Sequence, residues 1–382
     1  MKASLATARD LAFVLLLAAI FIVMYSLGNG TKPHVMNEHG TTERVASVFS
    51  NASSIDACCA NGVLCIPISL DSNGIPIIVA QIGIPKQEVK LCLDSGSTDM
   101  VIMAGDDIGK FNAGKSASSR RTSSGMSTII YGTQKDTVVN IIDSVTFDGV
   151  CIRNMHELQS DDDERMFAKA VYPTMDFLVS LRRENSPYNT GSASDYNVLG
   201  IGPIRGKTGI SNRLEVMRQR DREKVSPFDV ESLYSVLFFG TSSYFVLGTM
   251  PTPYRNKIAL KRKRTTQPYF TVELNGMACN GHQLSCPPFA ILDTGSNMVF
   301  VPERLRTQLT QACKSNPAAS IHIDLGSYLL RINSTNRIPI PNKAFHKMLE
   351  HTDCIIIGCF ALSGIGLEFN TKTHEVWVID LH

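Results

Sequence analysis

Beyond residue 74 the chain is a succession of short apolar runs cut by Gly, Pro and Asn: "IPIIVAQIGI", "EVKLCLD", "MVIM", "STIIYG", "TVVNIIDSVTF", "SVLFFG", "YFVLG", "FTVEL" and "VWVID". Brief runs rich in Val, Ile, Phe and Tyr between turn residues predict strands, and their density predicts an all-β architecture. Two stretches depart from this pattern. "SDDDERMFAKA" and the segment after it to about Ser194 read as a polar insertion, and "SNRLEVMRQRDREK" reads as a solvated helix with mixed charges. From residue 29 to 73 the chain is rich in Asn, Ser, Thr and Ala with no sustained apolar period, as expected of a stalk, linker or short propeptide. Ahead of it, Lys2 and Arg9 precede the uncharged run Leu11 to Gly28. Residues 1–28 therefore read as a signal peptide or an uncleaved type II signal anchor.

Composition narrows the picture. The chain has 382 residues, 43% apolar and 19% charged, enough for packed cores in two domains or one bilobal one. A formal net charge of +2 gives no reason to expect a nucleic acid as partner. Behind a targeting segment, the three sequons at Asn29, Asn51 and Asn333 fit a glycoprotein of the secretory pathway, secreted or held on a lumenal or extracellular membrane face. The 10 cysteines show no zinc-type spacing, so those in loops are expected in disulfides. Cys92 and Cys151 lie in apolar stretches and are expected to be buried free thiols.

One run carries chemistry. In "LCLDSGSTDMVIM" an apolar strand is interrupted by Asp94, Ser95, Gly96 and Ser97, which alone would suit a tight turn. The interruption recurs in "FAILDTGSNMVFVP", with Asp293, Thr294, Gly295 and Ser296. Two chance matches of this kind would be rarer than roughly one chain in a thousand. A turn has no need of a second copy, whereas a paired-carboxylate site does. Splitting a peptide bond without metal or covalent intermediate requires one group to take a proton from water and another to give one to the carbonyl oxygen. Two adjacent carboxyls do both, because like charges cannot both ionise cheaply and the pair keeps one shared proton.

With these motifs the sequence resembles the pepsin-like aspartic proteases from Gly74 to the C-terminus. The resemblance implies a bilobal all-β fold with its cleft between two lobes, 74–255 carrying a flap and 256–382. It implies Asp94 and Asp293 as catalytic acids, Ser97 and Ser296 as hydroxyls on their carboxylates, and Ser95 and Thr294 as the link between lobes beneath them. "IIYGT" resembles the flap hairpin, with Tyr131 and Gly132 over the substrate. "NVLGIGP" with Gly200 and "IIIGCF" with Gly358 resemble the motifs that pass behind the two active-site loops. It further implies a disulfide between Cys279 and Cys286, with Cys313 and Cys354 as a second pair. The substrate would be an extended polypeptide with apolar side chains at the cut, and neither cofactor nor metal would be needed. Both motifs lie in one chain, so a monomer is expected.

The departures are specific. Asp99 and Val101 stand where the family has Asn and Trp, so Tyr131 lacks its usual anchor, and Asp99 is expected to raise the upper pH limit of activity if it lies close to the pair. The C-terminal lobe is short, and no lysine-rich inhibitory propeptide precedes Gly74. The alternative to an aspartic endopeptidase is a catalytically inactive pepsin-like binding or receptor module.

Overall fold

The computed structural model describes residues 63–122, 125–131, 134–152, 166–184, 196–203, 233–238, 243–248, 257–262, 269–313, 320–332, 349, 353–370 and 373–381. The targeting run 1–28, the three sequons and the expected helix in "SNRLEVMRQRDREK" lie outside these residues. Among the described residues no helix is long and apolar enough to cross a membrane.

Nine strands lead up to and build the first motif: β1 (Val63–Leu70), β2 (Pro76–Ile82), β3 (Gln87–Asp94), β4 (Met100–Met103), β5 (Arg120–Arg121), β6 (Ser127–Tyr131), β7 (Gln134–Ile152), β8 (Met166–Glu184) and β9 (Asn197–Gly200). Strand β3 shows why the chain folds this way. Glu88 and Lys90 are exposed while Val89 and Leu91 are buried, and then Cys92, Leu93 and Asp94 are all buried. Period-two alternation gives way to continuous burial where the strand gains cover on both faces. There β3 runs parallel to β9, with Asp94 level with Gly200.

Two expectations change here. Val63–Leu70, inside the span read as stalk or propeptide, is a strand paired with β2, β7 and the later strand Ser243–Leu247. Met166–Glu184, inside the span read as a polar insertion, is a 19-residue strand antiparallel to β7. Its period-two pattern was masked by small or charged residues: Ala168, Ala170 and Tyr172 face inward while Phe167 and Lys169 face out.

The strands β10 (Leu233–Phe238), β11 (Ser243–Leu247) and β12 (Lys257–Ala259) continue the same sheet. Next come β13 (Thr271–Glu273), β14 (Gly276–Cys279), β15 (His282–Leu284), β16 (Phe289–Asp293), β17 (Val299–Phe300), helix α1 (Glu303–Cys313), β18 (Ile321–Asp324), β19 (Leu329–Ile332) and β20 (Cys354–Gly358). They form two four-stranded sheets, β13-β16-β20-β17 and β15-β14-β18-β19. The closing strands β21 (Ile365–Asn370) and β22 (Val376–Asp380) return to the large sheet, where β21 pairs with β10 and β22 with β12. The fold is all-β and bilobal. Asp94 ends a strand of the large sheet and Asp293 a strand of a small one.

Candidate active site

Each motif begins where a strand stops. At the first, Asp94 closes β3 and the backbone turns back on itself, the N–H of Ser97 reaching the Asp94 carbonyl at 3.4 Å. At the second, Asp293 closes β16 and Ser296 N–H reaches the Asp293 carbonyl at 3.2 Å. The short turn aims backbone and hydroxyl donors at each acid. Asp94 Oδ1 accepts from Gly96 N–H at 2.7 Å and Oδ2 from the Ser97 hydroxyl at 2.5 Å. Asp293 Oδ1 accepts from Gly295 N–H at 2.9 Å and Oδ2 from the Ser296 hydroxyl at 2.7 Å.

The two loops face one another. A Cβ on Gly96 would lie 2.7 Å from Asp293 Oδ1, and one on Gly295 would collide with the Asp94 carboxyl. Each glycine thus leaves space for the opposite acid, and the two carboxyls are close enough for the charge of Asp293 to bear on Asp94. Beneath them Ser95 and Thr294, both fully buried, exchange two bonds, and each hydroxyl donates one more across to the opposite strand. Ser95 N–H donates to Thr294 Oγ1 at 2.9 Å and Thr294 N–H to Ser95 Oγ at 2.9 Å. Ser95 Oγ donates to the Leu292 carbonyl at 2.8 Å, and Thr294 Oγ1 to the Leu93 carbonyl at 2.7 Å. Both hydroxyls give and accept, so neither is stranded in the interior.

A parallel strand supports each loop from behind. Ile201 N–H reaches the Asp94 carbonyl at 2.9 Å and Gly202 N–H the Ser97 carbonyl at 2.7 Å. In the second copy, Asp293 is level with Gly358, and Cys359 N–H reaches the Ser296 carbonyl at 2.8 Å. Two loops far apart in sequence are fixed by closely matching contacts.

Removal from water, and next the charge of Asp293, hold the Asp94 carboxyl well above the usual carboxylate range, against the pull of Ser97 and Gly96 donors. Asp94 therefore keeps a proton into less acidic conditions than a free carboxyl does. Asp99, expected to add charge here, is half-buried and accepts from the Thr98 hydroxyl at 3.2 Å.

Tyr131 ends β6, its backbone opposite Gln134 across a hairpin turn. Gly132 lies outside the described residues. The expected Cys279–Cys286 disulfide is not formed: Cys279 is disulfide-bonded, but Cys286 is a free, partly exposed thiol. Cys354 likewise keeps its thiol, which excludes its pairing with Cys313, and Cys151, expected as a thiol, is disulfide-bonded. The resemblance misled because β14 and β15 carry Cys279 towards β18 and into the core, while Cys286 falls beyond the end of β15. Cys92 is the buried thiol that its apolar setting predicts.

The sequence did not single out two neighbours of the pair, Cys359 and Tyr269, nor Tyr196, which packs beside β3. Cys359 donates from Sγ to the Thr294 carbonyl at 2.8 Å, and burial, then the charges of Asp293 and Asp94, hold it in the neutral thiol form. Tyr269 is partly buried and feels both carboxylates, which raise its phenol after burial does. Tyr196, just before β9, packs on Ile75, Ile77 and Cys92. The only sequence clue to these is adjacency to a motif, as in "IIIGCF".

Residues 77–173 match the family model described as eukaryotic aspartyl protease. No curated protein matches the chain.

Proposed function

We propose, on the match of residues 77–173 to the eukaryotic aspartyl protease family, that the chain is a pepsin-like aspartic endopeptidase, with Asp94 and Asp293 as its catalytic residues. The observation that carries this reading is the facing pair of carboxyls, each lying over the other loop's glycine and held by a backbone N–H and a hydroxyl in matching loops. A water placed between the acids would lose a proton to the ionised carboxylate as its oxygen attacks the peptide carbonyl carbon. The shared proton would pass to the carbonyl oxygen, giving a neutral tetrahedral diol. Collapse of the diol would break the C–N bond as one carboxyl protonates the departing amine and the other carboxylate takes a proton from a diol hydroxyl, leaving the pair with one proton again. The donors on the outer carboxylate faces need no rearrangement during these steps, which is the preorganisation this chemistry uses.

The substrate would be an extended polypeptide laid across the cleft under the β6–β7 hairpin as flap, with apolar side chains beside the cut. The enzyme would act as a monomer in the secretory pathway, in an acidic lumen or outside the cell, with residues 1–28 as signal or anchor.

The full-length chain, incubated with a denatured protein between about pH 3 and pH 7, should cleave it in acid and be blocked by a hydroxyl-bearing peptide that mimics the diol. Asp94→Asn and Asp293→Asn should each lose about 10³-fold or more in kcat, as loss of a general acid or base implies. Near-wild-type cleavage by either variant would remove the pair from the mechanism. Tight peptide binding without turnover in the unaltered chain would favour the binding-module alternative.

A further inference from the structure

Strand β8 backs the β6–β7 hairpin almost to its tip. On one edge of β7, Tyr131 faces Gln134 and Ile129 faces Asp136. On the other, Lys135 faces Glu184, Asp136 faces Arg183 and Thr137 faces Arg182. The hairpin is therefore one side of a three-stranded ribbon.

A buried ion pair sits near the end of that ribbon. Asp136 is fully buried and the Arg183 side chain is 10% exposed. Arg183 Nε donates to both carboxylate oxygens at 3.2 Å, and Nη2 donates to Oδ2 at 3.0 Å. The guanidinium does not end there: Nη1 donates to the Tyr196 carbonyl at 3.1 Å. Tyr196 is itself anchored. Its hydroxyl donates to the Asp71 carboxylate, which also accepts from the N–H groups of Asn73 and Ile75 in the β1–β2 turn. Its ring lies against Cys92, two residues ahead of Asp94, and its backbone leads into β9, level with Asp94 at Gly200.

Val101 packs with Val138, Leu178 and Val198, and Ile129 covers that cluster. Such an apolar contact holds the hairpin base down without fixing its direction, because hydrophobic contact is non-directional. A planar guanidinium that grips a carboxylate on one side and a carbonyl on the other does fix direction. Buried charge pairs add little net stability, so their use here is better explained by geometry.

We propose that Arg183 is the positioning residue of the hairpin, joining Asp136 to the Tyr196 carbonyl and so setting where the hairpin lies relative to the Asp94 loop. The inference rests on the reading of this hairpin as the flap of a protease. It requires that loss of Arg183 impair substrate capture, and that neutralising the stranded Asp136 charge not restore capture.

The test compares full-length chains carrying Arg183→Met, Arg183→Lys and the double change Asp136→Asn with Arg183→Met. Backbone hydrogen exchange would be followed over 127–138, with 276–284 as reference, beside KM, kcat and thermal midpoint. Arg183→Met should speed exchange over 127–138 relative to the reference and raise KM about tenfold with a smaller change in kcat, a size expected of misplaced binding groups. Arg183→Lys, which keeps charge but not the fork, should fall between. The double variant should regain thermal stability yet keep fast local exchange and high KM. Unchanged local exchange in Arg183→Met would overturn the proposal, as would a double variant that regains KM and exchange together. If the unaltered chain proves to lack turnover, the exchange measurements still decide whether Arg183 positions the hairpin.

Discussion

Asp94 is a carboxyl kept mostly out of water, 9% exposed, beside a second acid. Both conditions disfavour its charged form, so its pKa in the folded chain exceeds that in the unfolded chain. Below the unfolded value Asp94 is protonated in both states and its stabilising contribution is complete. As pH rises towards the folded value the unfolded chain ionises first, and stability falls by about 1.4 kcal/mol for each pH unit between the two values. Asp94→Asn removes this loss. The thermal midpoint of Asp94→Asn should therefore gain on that of the unaltered chain as pH rises from about 4 to 7. Parallel midpoint curves over that range would show that Asp94 carries no raised pKa.

Strand ends translate such residues into geometry, and the glycines behind them leave little slack. At Gly200 a Cβ would sit 2.5 Å from Asp99 N and 2.6 Å from Asp99 O, both backbone atoms that cannot rotate away. Gly200→Ala must therefore push the Asp94 loop and β9 apart. Activity should fall about a hundredfold, the scale of a misplacement near 1 Å. Gly276→Ala in β14, where the nearest atom is the flexible Gln283 Oε1 at 3.8 Å, should leave activity unchanged. Equal activities for the two variants would show that β9 does not constrain the loop. The contrast also explains what could be read from sequence. Asp94 to Ser97 and Asp293 to Ser296 were legible because donors to a carboxylate come from the next three residues, a local geometry that spells a local motif. The Arg183 bridge to Asp136 was not, because the register of two 19-residue strands brings these residues together. The bonding of Cys279 and Cys151 was hidden likewise, as it depends on which strands become neighbours. Val63–Leu70 was hidden by the polar stretch ahead of it.

Across the whole molecule, the strand that carries Asp94 and the closing strands belong to one sheet, running from β12 through β22, β21, β10, β11, β1 and β2 to β3. A buried charge pair spans the far end of that path. Glu368 on β21 is 2% exposed, and Lys257 on β12 reaches across β22 to place Nζ 2.6 Å from both of its carboxylate oxygens. Such a pair contributes little over an apolar replacement of both partners, yet removing one partner strands a charge in the interior. Lys257→Met should therefore cost about 3–5 kcal/mol in denaturant unfolding. Adding Glu368→Gln, which can bond locally without charge, should recover most of that loss. In the single variant, cleavage per folded molecule should stay near normal under conditions where the chain is still folded, since the Asp94 and Asp293 loops make their mutual bonds through Ser95 and Thr294 and not through β12. A loss below about 1 kcal/mol in Lys257→Met would mean that water reaches Glu368. A double variant no more stable than the single one would place the cost in lost packing of the lysine stem rather than in the stranded carboxylate.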